Sequence, residues 1–356
     1  MTTSKSALGK IKRRMLRNKI DGFIVSDRSS VRYLSGFSGS SGFLFLCRGG
    51  DYLFTDFRYF EQAEKEAPDC LIDCSRKEAV EKLKAVMLKN RVRTAAFESE
   101  SVTYGFYRRL AADLNPVRLE PVSRWVLKLR AVKTPEEIRK IRASCAASDR
   151  AMARLKGFIR PGVRERDLEA ELFYYIKKTE GAGFSFPPVI ISGERTSLPH
   201  GRPSARKIRA GDMVLVDFGV RLDGYCSDLT RTFCVGRMSA DRKHLYNAVL
   251  SNQAACIEML RPGGVSGKAF NFSASGLRSG GYELQHGLGH GVGLEIHELP
   301  SISRGSGTRL KENMVFTVEP GAYLKGRFGV RIEDMVLMKS GGVEVLSKTP
   351  RRRNEI

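Results

Sequence analysis

The chain has 356 residues, 42% of them hydrophobic and 28% charged, which is the make-up of an ordinary globular protein with enough material for two domains. Sixty-one Lys and Arg against 39 Asp and Glu give a net charge of +22, spread through both halves apart from Lys10, Lys12, Arg13, Arg14 and Arg17 and the tail Arg351–Arg353. That excess favours weak contact with polyanions, but no zinc-finger, RNP-type or KH motif accompanies it, so no specific nucleic-acid partner is expected.

No run of 18 apolar residues is present, which predicts no transmembrane helix and no membrane partner. The basic stretch Met1–Arg17 lacks an apolar core and a small-residue cleavage site, so it does not read as a secretory signal. Seven scattered cysteines complete no zinc-finger spacing, and reduced thiols in a cytoplasmic enzyme are the simplest account.

Residues 10–20 read as a helix with Ile11, Met15, Leu16 and Ile20 on one side. Gly22–Ser26 reads as a buried strand ending at Asp27-Arg28-Ser29. Phe43–Cys47 and Tyr52–Thr55 are strands joined by the turn Arg48-Gly49-Gly50-Asp51. Residues 58–67 and 77–89 look helical, Ala95–Glu98 is a short strand, and Tyr104–Leu114 is a further helix. This alternation predicts an α/β domain over residues 1–126 with a parallel or mixed sheet. It holds no GxGxxG or Walker motif, so no nucleotide role attaches to it.

A boundary falls around Trp125–Lys133, and residues 133–356 form the second domain. Thr134-Pro135-Glu136-Glu137 is a strong helix start, with Thr as N-cap, Pro at the first position and Glu closing a capping box. The helix is predicted to run to about Phe158, and a second from about Glu165 to Glu180. Ile159-Arg-Pro-Gly between them is echoed by Leu260-Arg-Pro-Gly after a helix near 240–260, which hints at an internal duplication.

Met213–Val220 and Tyr225–Val235 read as a hairpin. With the tip between Leu222 and Asp223, Asp217 and Asp228 stand opposite one another. Val315–Pro320 and Val330–Val336 repeat the arrangement, with Glu319 and Glu333 equidistant from Gly326. Opposed residues have Cβ atoms ~5 Å apart, and like charges there are destabilising. Two such pairs in apolar strands call for cations.

Three of the five histidines lie in the thirteen residues His286–Glu298, interleaved with four glycines. Glycine disfavours a helix and permits close backbone approach, so this is a strand or tight loop presenting imidazoles, not a helical HExxH site. With His290, the four acids make the ligand set of a two-metal hydrolase, oxygen-rich enough to favour Mn²⁺, with Co²⁺, Fe²⁺ and Zn²⁺ also compatible. His244, in Asp241-Arg-Lys-His-Leu, reads as a solvated residue at a helix start.

With these residues in view, the chain resembles the Xaa-Pro metallopeptidase family of aminopeptidase P and prolidase. Arg32-Tyr-Leu-Ser-Gly-Phe-Ser-Gly and Thr55-Asp-Phe-Arg-Tyr59 look like the N-terminal domain shared with creatinase, and His286–Glu298 matches the proline-peptidase signature. The resemblance implies an α/β N-terminal domain and an α+β pita-bread catalytic domain with pseudo-twofold internal duplication. The order Asp217, Asp228, His290, Glu319, Glu333 is similar to the family's five-ligand order. It implies two divalent ions bridged by Asp228 and Glu333, with Asp217 completing one ion and His290 and Glu319 the other, around a bridging hydroxide. The resemblance gives His200 and His297 catalytic roles at the tetrahedral intermediate and makes Glu319 the general base. His286 becomes a group lining the substrate pocket; Arg331, which shares a strand face with Glu333, is placed by that spacing either to orient Glu333 or to meet the substrate.

The activity implied is an aminopeptidase hydrolysing the Xaa-Pro bond at the N-terminus of peptides. The nearest alternative is an Xaa-Pro dipeptidase, for which no one arginine can be singled out to take the dipeptide carboxylate. A non-enzymatic pita-bread binding module is the alternative of another class. The family also suggests a homodimer. No role attaches to the Arg-rich tail.

Overall fold

The computed structural model describes residues 3–75, 78–180, 182–352 and 354–356. The chain divides into two compact units, Met1–Arg130 and Ala131–Ile356.

The first unit contains α1 (Thr3–Arg17), β1 (Gly22–Val25), α2 (Arg28–Ser35), β2 (Phe43–Cys47), β3 (Gly50–Phe54), α3 (Phe60–Glu66) and β4 (Leu71–Asp73). It continues with α4 (Ala79–Lys89), β5 (Thr94–Glu98), α5 (Tyr104–Asp113), β6 (Arg118–Val122) and α6 (Trp125–Arg130). Lys77, the expected start of the fourth helix, lies outside the described residues. The strands form one mixed sheet in the order β4-β3-β2-β1-β5-β6, antiparallel at β1/β2 and β2/β3 and parallel elsewhere. Asp27 does more than end β1. Its carboxylate accepts from Ser30 N at 2.7 Å and caps α2, a helix the sequence reading omits because it is only eight residues long.

The second unit opens with α7 (Pro135–Lys156) and α8 (Glu165–Glu180), followed by β7 (Gly183–Phe184) and β8 (Val189–Ser192). A first acidic hairpin comprises β9 (Met213–Phe218), β10 (Val220–Leu222), β11 (Tyr225–Cys226) and β12 (Leu229–Cys234). Then come α9 (Ala240–Met259), α10 (Ser266–Ser279), β13 (Gly289–Gly291) and β14 (Glu298–Ile302). The chain finishes with β15 (Val315–Val318), β16 (Gly321–Leu324), β17 (Phe328–Arg331), β18 (Asp334–Lys339) and β19 (Gly342–Val345). Thr134 and Glu137 make the reciprocal capping box expected at the start of α7.

The duplication hinted at by the two Arg-Pro-Gly turns is visible in backbone pairing. After α7, Gly162 N donates to Ile208 O and Arg164 pairs with Lys207; after α9, Gly263 N donates to Leu310 O and Val265 pairs with Arg309. In each half a helix pair thus leads into a strand pair bearing two acids. Each half has its own core: Leu155, Leu168, Ile190, Val216 and Phe233 in one, Leu245, Val249, Leu277, Phe316 and Val336 in the other.

Candidate active site and metal-binding residues

The first acidic hairpin turns one residue later than the spacing suggested. Leu222 pairs with Tyr225, so the tip lies between Asp223 and Gly224, and Asp217 pairs with Thr230 rather than with Asp228. Moving a tip by one residue slides the register by two, which preserves the face each side chain occupies. Asp217 and Asp228 therefore still line the same cavity, as diagonal rather than direct neighbours. The second hairpin follows the expected register on both sides of its acids. Val318 pairs with Asp334 and Gly321 with Arg331, which leaves Glu319 and Glu333 facing each other about Gly326.

The histidine-rich stretch enters the site along β13, between β14 and β15. A Cβ at Gly289 would lie 2.0 Å from Thr317 O, and one at Gly291 would lie 2.1 Å from Leu299 O. No other residue lets the strands flanking His290 come this close. His290 N is held in turn by Thr317 Oγ1 at 3.1 Å, and the same hydroxyl donates to Glu319 Oε1 at 2.9 Å.

A cavity of about 410 Å³ gathers Asp217, Asp228, His290, Glu319, Glu333, His200, His286, His297 and Arg331 on its wall, all nine of the residues proposed from the sequence. Ligand-type atoms of Asp228, His290 and Glu333 lie within 4.8 Å of one another. His290 Nε2 is 3.3 Å from Glu319 Oε1 and 3.5 Å from Asp228 Oδ2. Arg331 is turned into the wall rather than toward Glu333. Its guanidinium hydrogen-bonds the Asp217 carboxylate, Tyr323 OH at 2.6 Å, Thr230 Oγ1 and Pro199 O. Glu333 is instead oriented by Thr230, whose hydroxyl donates to Glu333 Oε2 at 2.6 Å.

Sequence reading did not single out Tyr323, Thr230 or Thr317. Tyr323 OH also bonds His286 Nε2 at 2.9 Å, so one buried phenol fixes both an arginine and a histidine of the site. Its only signal in the sequence was its place between Glu319 and Arg331 on the second hairpin. His244, outside the site, is exposed, with its ring 5.8 Å from that of Tyr282.

The electrostatics show what the cluster lacks. Burial, followed by repulsion from Glu333, Asp217 and Glu319, raises the Asp228 pKa well above the usual carboxylate range. Glu333 is raised in the same way, by burial and then by Glu319 and Asp217. Burial also raises Asp217, with Arg331 pulling the other way. For Glu319 burial is outweighed by the hydrogen bond and charge of His290, and the carboxyl settles at about 2. The Glu319 bond correspondingly raises His290 against its burial. Desolvation lowers His286 and His297, keeping both imidazoles neutral near pH 7. Among the described residues, Asp217 Oδ1 and Glu333 Oε1 are buried without a hydrogen-bond partner. Buried carboxylate oxygens that repel one another and lack donors are what divalent cations satisfy. The residues present fit such ions.

Fold and site together define a metal-dependent hydrolase, with mixed α/β sheets and an acid-walled cavity in the second unit. Residues 139–340 match the model of metallopeptidase family M24, and residues 8–132 match that of the creatinase/prolidase N-terminal domain. The chain belongs to metallopeptidase family M24. It is 34% identical to an Xaa-Pro dipeptidase from Bacillus anthracis, with a TM-score of 0.95 over 99% of this chain and 100% of that one. An X-Pro aminopeptidase from Thermotoga maritima is also 34% identical, with a TM-score of 0.90 over 97% and 98% of the two chains. An Xaa-Pro dipeptidase of Pyrococcus furiosus is 33% identical over 98% of this chain and 99% of its own length. The expected pita-bread fold and family resemblance hold. Dipeptidase and aminopeptidase both occur among the names, so this likeness does not choose between them.

Proposed function

We propose that this protein is a metal-dependent aminopeptidase that hydrolyses the Xaa-Pro bond at the amino end of peptides. The observation carrying this reading is the convergence of four carboxylates and His290 on one buried wall, with two carboxylate oxygens lacking any partner among the described residues. Asp217, Asp228, His290, Glu319 and Glu333 would hold two divalent ions, with Mn²⁺ favoured and Co²⁺, Fe²⁺ or Zn²⁺ compatible. Bound there, such ions supply Lewis acidity toward a carbonyl oxygen and lower the pKa of a water.

The chain's own groups do the rest. The substrate's free amine would sit beside this wall. Glu319, ionised at neutral pH, carries the carboxylate oxygen assigned to take up the proton. His297, held neutral by desolvation, and His200 stand on the same wall as N–H donors for a developing oxyanion. His286, fixed by Tyr323 OH and Gly287 O, shapes the substrate side. Arg331 acts through Asp217, whose carboxylate it orients. A homodimer is part of the same proposal, and sedimentation checks it.

An Xaa-Pro dipeptidase is the second reading, and Arg202 is the observation in its favour. This exposed arginine lines the cavity, and its one side-chain hydrogen bond among the described residues runs from Nη1 to Pro187 O at 3.0 Å. Its remaining N–H groups suit a dipeptide carboxylate. The test is hydrolysis of Ala-Pro, Ala-Pro-Ala and Ala-Ala-Ala by chelated protein resupplied with Mn²⁺. Release of alanine from Ala-Pro-Ala supports the aminopeptidase; cleavage of Ala-Pro alone makes it a dipeptidase. No turnover with Mn²⁺, Co²⁺, Fe²⁺ or Zn²⁺ would leave the binding module.

A further inference from the structure

We infer that a groove continuous with the catalytic cavity receives the part of a peptide beyond its proline, and that peptides with apolar residues there are the preferred substrates. This rests on the Xaa-Pro aminopeptidase reading. The acids proposed to hold the ions, beside which the amine would sit, are buried or half-buried, whereas Pro187, Arg202 and His297 on the same wall are exposed. A substrate anchored by its amine therefore has to leave across that rim.

A second cavity, of about 620 Å³, begins there and shares Phe186 and Pro187 with the first. Its wall is apolar. Phe173 projects from α8 with 51% of its surface exposed, and its ring lies 5.9 Å from that of Phe184. Single exposed apolar residues are ordinary, but two facing phenylalanines beside Phe186 and Pro187 make a contiguous patch at the mouth of a catalytic cavity. Phe184 also belongs to β7, an outer strand of the sheet ordered β11-β10-β7. An outer strand offers main-chain hydrogen bonds to an extended segment laid beside it. Arg166, exposed in the same lining, can meet the terminal carboxylate of a short peptide, in competition with Glu169 one turn along α8. The groove thus offers an outgoing peptide a short outer strand, apolar side chains on its wall, and a cation beside Glu169.

The experiment compares Ala-Pro, Ala-Pro-Gly-Gly and Ala-Pro-Phe-Leu as substrates of the Mn²⁺-reconstituted full chain. It includes Phe173→Ser and, as a control on the same helix but outside the groove, Tyr174→Ser. Expected is a preference for Ala-Pro-Phe-Leu over Ala-Pro-Gly-Gly of about tenfold in kcat/KM, carried mainly by KM. Phe173→Ser brings that ratio close to one, and Tyr174→Ser keeps it. Equal turnover of the two tetrapeptides by the unmodified chain overturns the inference. So does a ratio unmoved by Phe173→Ser together with loss of a dimer in sedimentation, which would assign the patch to a second copy. Cleavage of Ala-Pro alone removes the groove and the aminopeptidase reading but leaves a metallopeptidase. Turnover of none of the three removes the functional reading itself.

Discussion

Replacing Asp228 by Asn reverses the order of stability of the two proteins according to whether metal is present. In the chelated protein the ligand-type atoms of Asp228 and Glu333 lie within 4.8 Å, and Asp217 and Glu319 add repulsion. One charge pair at that separation costs about 3.5 kcal/mol at an effective dielectric constant of 20. Chelated Asp228→Asn is therefore expected to be more stable than the unmodified chain by about 3 kcal/mol at pH 8.5. For a unit of this size, that is roughly 6–12 °C in Tm. The advantage shrinks as pH falls. Asp228 and Glu333 have folded-state pKa values above their unfolded ones, so protonation of the native cluster stabilises the unmodified chain at low pH, and that stability is lost as pH rises. Adding Mn²⁺ at a hundred times its dissociation constant stabilises the unmodified chain by about 2.7 kcal/mol, whereas Asp228→Asn loses most of this gain. The assay is thermal unfolding in chelator and in Mn²⁺, at pH 5.5 and 8.5. A chelated variant less stable than the unmodified chain at pH 8.5, or one with an undiminished Mn²⁺ shift, would refute the reasoning.

Other parts of the chain make separate predictions. Lys133 Nζ lies 3.1 Å from Glu298 Oε2, both side chains 1% exposed. Lys133→Met should cost about 3–5 kcal/mol in urea unfolding, and Lys133→Met with Glu298→Gln should recover much of it; equal loss in single and double variants would contradict this. In the Arg-rich tail, Arg351 Nε meets the fully buried Asp334 at 2.8 Å, beside Arg231 and Gln253. Arg351→Met should lower stability by about 1.5–3 kcal/mol by the same measurement, and an unchanged urea midpoint would show the contact to be idle. In the first unit, burial pushes Glu98 up to about 7. Its folded-state pKa lies above the unfolded one, so this unit should lose about 3 kcal/mol as pH rises from 4.5 past 7. Glu98→Gln should flatten that slope. The chain's single tryptophan, Trp125, is buried in this unit and reports its unfolding by fluorescence; a slope that survives the substitution places the titrating group elsewhere.

What could be read from the sequence was whatever short-range chemistry decides. The capping box at Thr134 involves four consecutive residues and was legible as such. The face shared by Asp217 and Asp228 survived a misplaced turn because strand parity has a period of two. The glycines around His290 announced close backbone approach, and the tertiary structure supplies the carbonyls they approach, Thr317 O and Leu299 O.

The partners of those residues were not legible, because each is set by where distant segments pack. Arg331 shares a hairpin with Glu333, yet its guanidinium turns to Asp217, 114 residues earlier. The tail looked like an unassigned basic extension, but Arg351 closes a buried network with Asp334. Asn354 O accepts from Cys234 N, and Ile356 N donates to Cys234 O, binding the chain end to β12; Arg353 lies outside the described residues. Phe173, one apolar residue among many on a helix, became part of a candidate groove only when folding set it beside Phe184 and Phe186. Local spacing selects the donors and the face they occupy. Long-range packing decides which are neutralised, which are left without partners, and what surrounds them, since burial and charge pairing are properties of the assembled unit.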